Sequence, residues 1–171
     1  MATLLLLRHA KAEPGSGPDE RRPLSGTGRD QAGRVAEHLR NRRPDVVLCS
    51  AAVRTQQTWQ RLAYGLADHG IEVAGIEVVV LESLYRASPR AVLAAVSEYG
   101  GDAGVVLVVG HEPIMSMTAA ALAGPGSREA GTHVVAAGLS TASLAVIEVD
   151  SPWHEVDSGH ARLVEVLHTP A

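Results

Sequence analysis

Hydrophobic residues along the chain fall in short, nearly unbroken runs, and segments with helical spacing separate those runs. Thr3 to Leu7 is the first run, Val46 to Cys49 the second, Ile76 to Leu81 the third and Val105 to Val109 the fourth. Five consecutive aliphatics in the fourth suit a strand covered on both faces of a sheet. Between the runs, Ala32, Val35, Ala36 and Leu39 recur at helical spacing behind the hydroxyls of Ser25 and Thr27, which can cap a helix, and Pro44 stops it. Trp59, Leu62, Ala63 and Leu66 mark a second helix that Gly70 ends. Ser88-Pro89 places a cap before a proline at the first helical position and opens a helix to about Tyr99. Gly110-His111-Glu112-Pro113 turns into an Ala/Met-rich helix that closes at Gly124-Pro125-Gly126. Thr141 to Val149 alternates and reads as a strand nearer the sheet edge, with Arg162 to Leu167 as a further strand. Glu13 to Arg22 is polar, rich in Gly and Pro, and too irregular for an element. The pattern predicts an α/β sandwich with helices on both faces of the sheet.

Composition narrows the class. At 171 residues the chain is one ordinary domain, and 46% hydrophobic with 20% charged residues is a globular balance that excludes disorder. A formal charge of -4 gives no basic field to hold nucleic acid or an anionic membrane, and 3% aromatics give no stacking platform for single strands. Lys11 is the only lysine and Phe is absent, a bias of composition more than an arginine-reading surface. The single Cys49 excludes a disulfide framework or Cys-rich zinc module, and its apolar strand context reads as an inert core thiol. No apolar run approaches the roughly 20 residues of a membrane helix, and the start MATLLLLRHA lacks the flanks of a signal peptide. The expectation is a cytoplasmic domain.

Ligands of open α/β sheets gather at the carboxyl ends of the strands, so the residues there carry the chemistry. Arg8-His9 follows the first run, Ser50 and then Arg54-Thr55 the second, Glu82 the third and Gly110-His111-Glu112 the fourth. Two arginines with planar donor forks, two helix N-termini and two imidazoles make a phosphate pocket. A neutral imidazole can attack phosphorus and become a phosphohistidine, which water then hydrolyses. The remaining histidines, His38, His69, His133, His154, His160 and His168, lie in polar or terminal contexts and read as structural or exposed. Gly15-Ser16-Gly17 and Gly26-Thr27-Gly28 do not continue into a dinucleotide loop, Lys11 has no phosphate-loop glycines, and His111-Glu112 lacks the second His of a zinc-protease helix. A metal site on His9, His111 and Glu82 ranks lower, because two nearby arginines repel a divalent cation.

The strand-end blocks carry a family likeness. Leu7-Arg8-His9-Ala10-Lys11-Ala12-Glu13 resembles the Arg-His-Gly signature of the histidine phosphatase superfamily, with Ala10 in place of the usual glycine. Arg22-Pro23-Leu24-Ser25-x-x-Gly28, Ser50-Ala51-Ala52-Val53-Arg54-Thr55-x-x-Thr58 and Val109-Gly110-His111-Glu112-Pro113 resemble its later blocks in order. The short chain, the Arg-Pro-Leu segment and Leu84-Tyr85 after the third run are most similar to the SixA-type phosphohistidine phosphatases.

The resemblance implies a three-layer, phosphoglycerate mutase-like α/β/α sandwich, mostly parallel, with residues 1-171 as a single domain and no large lid insertion. It implies His9 as nucleophile, Arg8, Arg54 and His111 as phosphoryl ligands, and no metal or other cofactor. Glu82 lies near the place of the mutase branch's general acid. The expected activity is hydrolysis of phosphohistidine on a partner protein. The alternatives are a phosphomonoesterase for a small phosphorylated metabolite and a non-catalytic phosphate-binding domain. Neither nucleic acid nor a membrane is an expected partner.

Overall fold

Leu4, Leu5, Leu6 and Leu7 are all fully buried, which a strand achieves only when both of its faces are covered. The computed structural model describes residues 1–171 and places these four in β1 (Ala2–Arg8). The other strands are β2 (Val46–Ser50), β3 (Glu77–Leu81), β4 (Val105–Gly110), β5 (Leu144–Val149) and β6 (Arg162–Leu167). Their order in one sheet is β3-β2-β4-β1-β5-β6, and only β5 runs against the rest.

The helices are α1 (Gly26–Arg34), α2 (Val53–Asp68), α3 (Pro89–Tyr99), α4 (Ile114–Leu122) and α5 (Glu129–Ala137). Period-two alternation sends Leu5, Leu7, Val47, Leu107 and Val109 to the face covered by α1 and α2. The same alternation sends Leu4, Leu6, Leu48, Val106 and Val108 to the face covered by α3, α4 and α5. The result is the three-layer, mostly parallel sandwich.

Three details differ from the sequence reading. The segment carrying Ala32 to Leu39 is α-helical only to Arg34 and tightens to a 3-10 turn over Val35–Leu39. α5 lies between the expected α4 and β5, in a segment that Gly131, Thr132, Val134 and Val135 make a weak helix former. β5 starts at Leu144, because residues 141–143 form a turn in which Ala142 adopts a left-handed conformation (φ 56°). β6 takes the edge position outside β5. No helix is long and apolar enough to cross a membrane.

Candidate active site

Sheet register brings the chemistry together. Arg8, the last residue of β1, pairs with Gly110, the last of β4, and the His9 amide donates to the Gly110 carbonyl at 3.0 Å. His9 and His111 therefore leave adjacent parallel strands side by side, with ring centroids 5.4 Å apart. β2 ends beside them at Ser50, and the first turn of α2 projects Arg54 into the same space. Arg8, His9, Arg54 and His111 line a cavity of about 350 Å³ together with Lys11, Arg22 and Glu112. A larger groove of about 800 Å³ lies between α1, α2 and the C-terminal residues and contains none of the four.

Hydrogen bonding fixes the histidine tautomers. His9 Nδ1 lies 2.7 Å from the Ala10 carbonyl, which can only accept, so Nδ1 carries the proton. In the neutral ring Nε2 then holds the lone pair, and Arg54 Nε donates to it at 3.3 Å. Arg54 NH2 likewise faces His111 Nδ1 at 3.3 Å, which leaves His111 Nε2 to donate to Ser50 Oγ at 2.8 Å. Burial, opposed by the Ala10 bond and reinforced by Arg54, Arg8 and Arg22, lowers the His9 pKa to about 4. Burial first, then His9 and Arg54, lowers His111 to about 3. Both rings are neutral near pH 7.

The blocks quoted above now have structural reasons. Ser25 Oγ caps α1 by accepting from the Gly28 amide at 2.9 Å. A Cβ on Gly28 would fall 1.8 Å from the Lys11 carbonyl oxygen, so only glycine lets α1 lie against the backbone that follows His9. Thr58 Oγ1 accepts from the Ala10 amide (3.1 Å) and donates to the Arg54 carbonyl (2.7 Å), joining the His9 and Arg54 blocks. On the other side, the Ala142 amide donates to the carbonyls of Arg8 and His9.

Arg8 NH1 donates to the Leu139 carbonyl at 2.7 Å, while its Nε is buried without a partner. Glu82 is exposed at the end of the edge strand β3 and is not among the residues lining the cavity.

Two acidic residues to which the sequence reading gives no role stand close. Glu112 accepts from the Ser116 amide, Ser116 Oγ and the Leu139 amide. Asp19, in a 3-10 turn of the irregular Glu13 to Arg22 segment, binds Arg54, Arg22 and the Tyr85 hydroxyl. The one sequence signal for Asp19 is its i,i+3 spacing to Arg22, which in a loop is too common to single it out. No group of three or more His, Cys, Asp or Glu side chains is arranged to hold a metal ion.

Residues 4–84 match the model of the histidine phosphatase superfamily (branch 1). The chain is 36% identical to an uncharacterized protein of Mycobacterium tuberculosis over 168 residues, covering 96% of this chain and 99% of the relative. Among solved structures it is similar to a candidate phosphohistidine phosphatase SixA of Nakamurella multipartitia, with 31% identity, TM-score 0.80 and coverage of 99% of this chain and 97% of that one. A second candidate SixA, from Agrobacterium tumefaciens, gives 27% identity, TM-score 0.75 and coverage of 98% and 97%.

Proposed function

Because the chain belongs to the histidine phosphatase superfamily and is a phosphatase of the SixA type, we propose that it dephosphorylates phosphohistidine on a partner protein through a covalent intermediate on His9. On this reading residues 1–171 work as one domain. The observation that carries the reading is the tautomer of His9: Nδ1–H is held on the Ala10 carbonyl, so the lone pair of Nε2 faces the cavity beside Arg54.

In the first step His9 Nε2 forms a bond to phosphorus as the bond from phosphorus to the leaving imidazole breaks; the leaving nitrogen takes the electron pair, and the ring, protonated beforehand on its other nitrogen, departs neutral. Arg8, Arg54 and His111 bind the equatorial oxygens, where charge must be stabilised by donors already in place. A dianion between them favours the protonated form of His111, which can then donate from Nδ1. In the second step water attacks phosphorus, the Nε2–P bond breaks with its electron pair returning to Nε2, and dihydrogen phosphate leaves with the oxygen and both protons of water.

The substrate class is supported by what the cavity offers a leaving group. An alkoxide needs a proton from an acid, whereas a protonated imidazole needs none. The carboxylate of Glu112 is committed to three donors, and Glu82 is outside the cavity lining. The names borne by the similar structures, candidate SixA phosphohistidine phosphatases, point the same way.

The test is turnover of a ³²P-phosphohistidine protein, quenched in alkaline detergent. Wild type should retain a base-stable, acid-labile label, and His9→Ala should lose both label and turnover while keeping its circular dichroism. Undiminished turnover in His9→Ala would end the covalent reading.

A further inference from the structure

We propose that Asp19 is a positioning residue for phosphoryl transfer, holding Arg54 by the outer edge of its guanidinium so that the inner edge faces His9 and His111. The inference rests on the phosphatase reading above and adds a residue to it. Arg54 offers five N–H donors in a fixed plane. Nε and one hydrogen of NH2 form the inner edge, directed at His9 Nε2 and His111 Nδ1, each at 3.3 Å. NH1 donates to the Asp19 main-chain carbonyl at 2.8 Å, and the second hydrogen of NH2 is directed at Asp19 Oδ2 at 3.0 Å. Asp19 thus takes the outer edge only, and leaves the inner edge facing the two histidines on the cavity side.

The arrangement resists rotation because Asp19 is itself tied from two sides. Arg22 Nε donates to Oδ1 at 2.9 Å, and the Tyr85 hydroxyl donates to Oδ2 at 2.5 Å. Tyr85 comes from the turn after β3, and its ring stands edge-on to His111 with centroids 5.6 Å apart. The Arg54 side chain is 7% exposed and its one ion pair is with Asp19, so Asp19 is also the counter-charge that a buried guanidinium requires. The hydrogen bond from Tyr85, followed by those from Arg22 and Arg54, holds the Asp19 carboxyl far below the usual carboxylate range. It is an anion throughout the working pH range and not a proton donor.

The rival reading is that Asp19 is a competing anion, seated where the substrate's phosphoryl group must go. The two differ in sign. A positioning residue, when removed, weakens oxyanion binding; a competitor, when removed, strengthens it.

The experiment is a double-mutant cycle of wild type, Asp19→Ala, Arg54→Ala and the double variant, read by phosphohistidine turnover and by orthovanadate affinity. Asp19→Ala should lower kcat by about 10- to 100-fold, the scale of a misplaced catalytic group, and weaken vanadate. In the Arg54→Ala background the same change should do nothing further. Asp19→Asn, which keeps an acceptor for Arg54, should restore part of kcat. The Arg54 Nε–H resonance should exchange with water faster in Asp19→Ala than in wild type.

Equal losses in both backgrounds, no loss at all, or tighter vanadate binding would each overturn the proposal. Wild type that neither turns over nor binds vanadate would end the phosphatase reading instead, and the Nε–H exchange would still report whether Asp19 holds Arg54.

Discussion

Arg54 and Arg8 reach one cavity from walls of different construction. Arg54 makes four polar contacts within the protein, to His9, His111 and twice to Asp19. Arg8 makes one, to the Leu139 carbonyl, and keeps a buried Nε with no partner. The first wall, α2 with the Asp19 turn, sets the direction of its guanidinium from behind. The second wall, the loop before β5, anchors one nitrogen and the backbone, through Ala142 in its left-handed conformation. A buried donor left unsatisfied costs about 1–3 kcal/mol, so on the proposed reading a phosphate oxygen that reached Arg8 Nε would recover a cost that Arg54 does not carry. On that reading, preorganisation and ligand-completed binding would be divided between the two arginines.

Lysine substitutions break or sharpen that division. Removing either side chain to alanine should cost about 10²-fold or more in kcat, as removing one oxyanion donor does. Arg54→Lys should be nearly as damaging as Arg54→Ala, because an ammonium cannot serve Asp19 at one edge and the reacting oxygens at the other. Arg8→Lys should retain more activity, since one anchored point charge replaces most of what that wall supplies. Steady-state kinetics on the four variants decides it, and the reverse ranking would undo the contrast.

Proton titration sharpens it next. Arg54 and Arg8 both lower His9, but among the groups acting on His111 the arginines are Arg54 and Arg22. Ring-nitrogen NMR should find midpoints of about 4 for His9 and about 3 for His111. Arg54→Ala should raise both, and Arg8→Ala should raise His9 alone. A midpoint near 6.5 for His9 in wild type would contradict the buried, neutral ring that the proposed attack requires. The same shifts have a stability consequence. Each folded pKa is below the unfolded value of about 6.5, so the unfolded chain binds more protons once the pH falls below that value. These histidines therefore withdraw stability as the pH drops from about 6.5 toward their folded pKa values, and replacing either with an apolar residue should flatten that limb in denaturant titrations.

The first wall was only half legible in the sequence, and the second hardly at all. β1, β2 and β4 are apolar enough on both faces to be read directly, and strand ends locate His9, Arg54 and His111 because register is fixed by the sheet. Ser25 is readable as a cap, whereas the close approach that requires Gly28 is not. Asp19 is not, because its partner Arg54 is 35 residues away and its segment has no periodicity. Leu139, Ala142 and the bond from the Leu139 amide to Glu112 depend on a loop whose preceding helix, α5, is too rich in Gly and β-branched residues to announce itself. What escaped was long-range loop contact, which local pattern does not encode.

Glu82 belongs to neither wall, and it carries the smallest expected effect. Its strand β3 is the sheet edge, its side chain is exposed, and the cavity is lined without it. A general acid must lie within hydrogen-bond reach of the leaving atom, directly or through one water. On the phosphohistidine reading the leaving ring brings its own proton, so no acid is required there. Glu82→Gln should therefore change phosphohistidine hydrolysis by no more than about twofold, the range of an exposed substitution away from packed features. An alkyl phosphate, hydrolysed slowly by wild type for want of an acid, should respond as little. If alkyl phosphate hydrolysis falls strongly and phosphohistidine hydrolysis does not, Glu82 reaches the leaving oxygen after all, and a small phosphorylated metabolite becomes the better substrate. If both fall by one large factor, the turn from Glu82 to Tyr85 supports the Asp19 wall, and the loss should then disappear in Asp19→Ala.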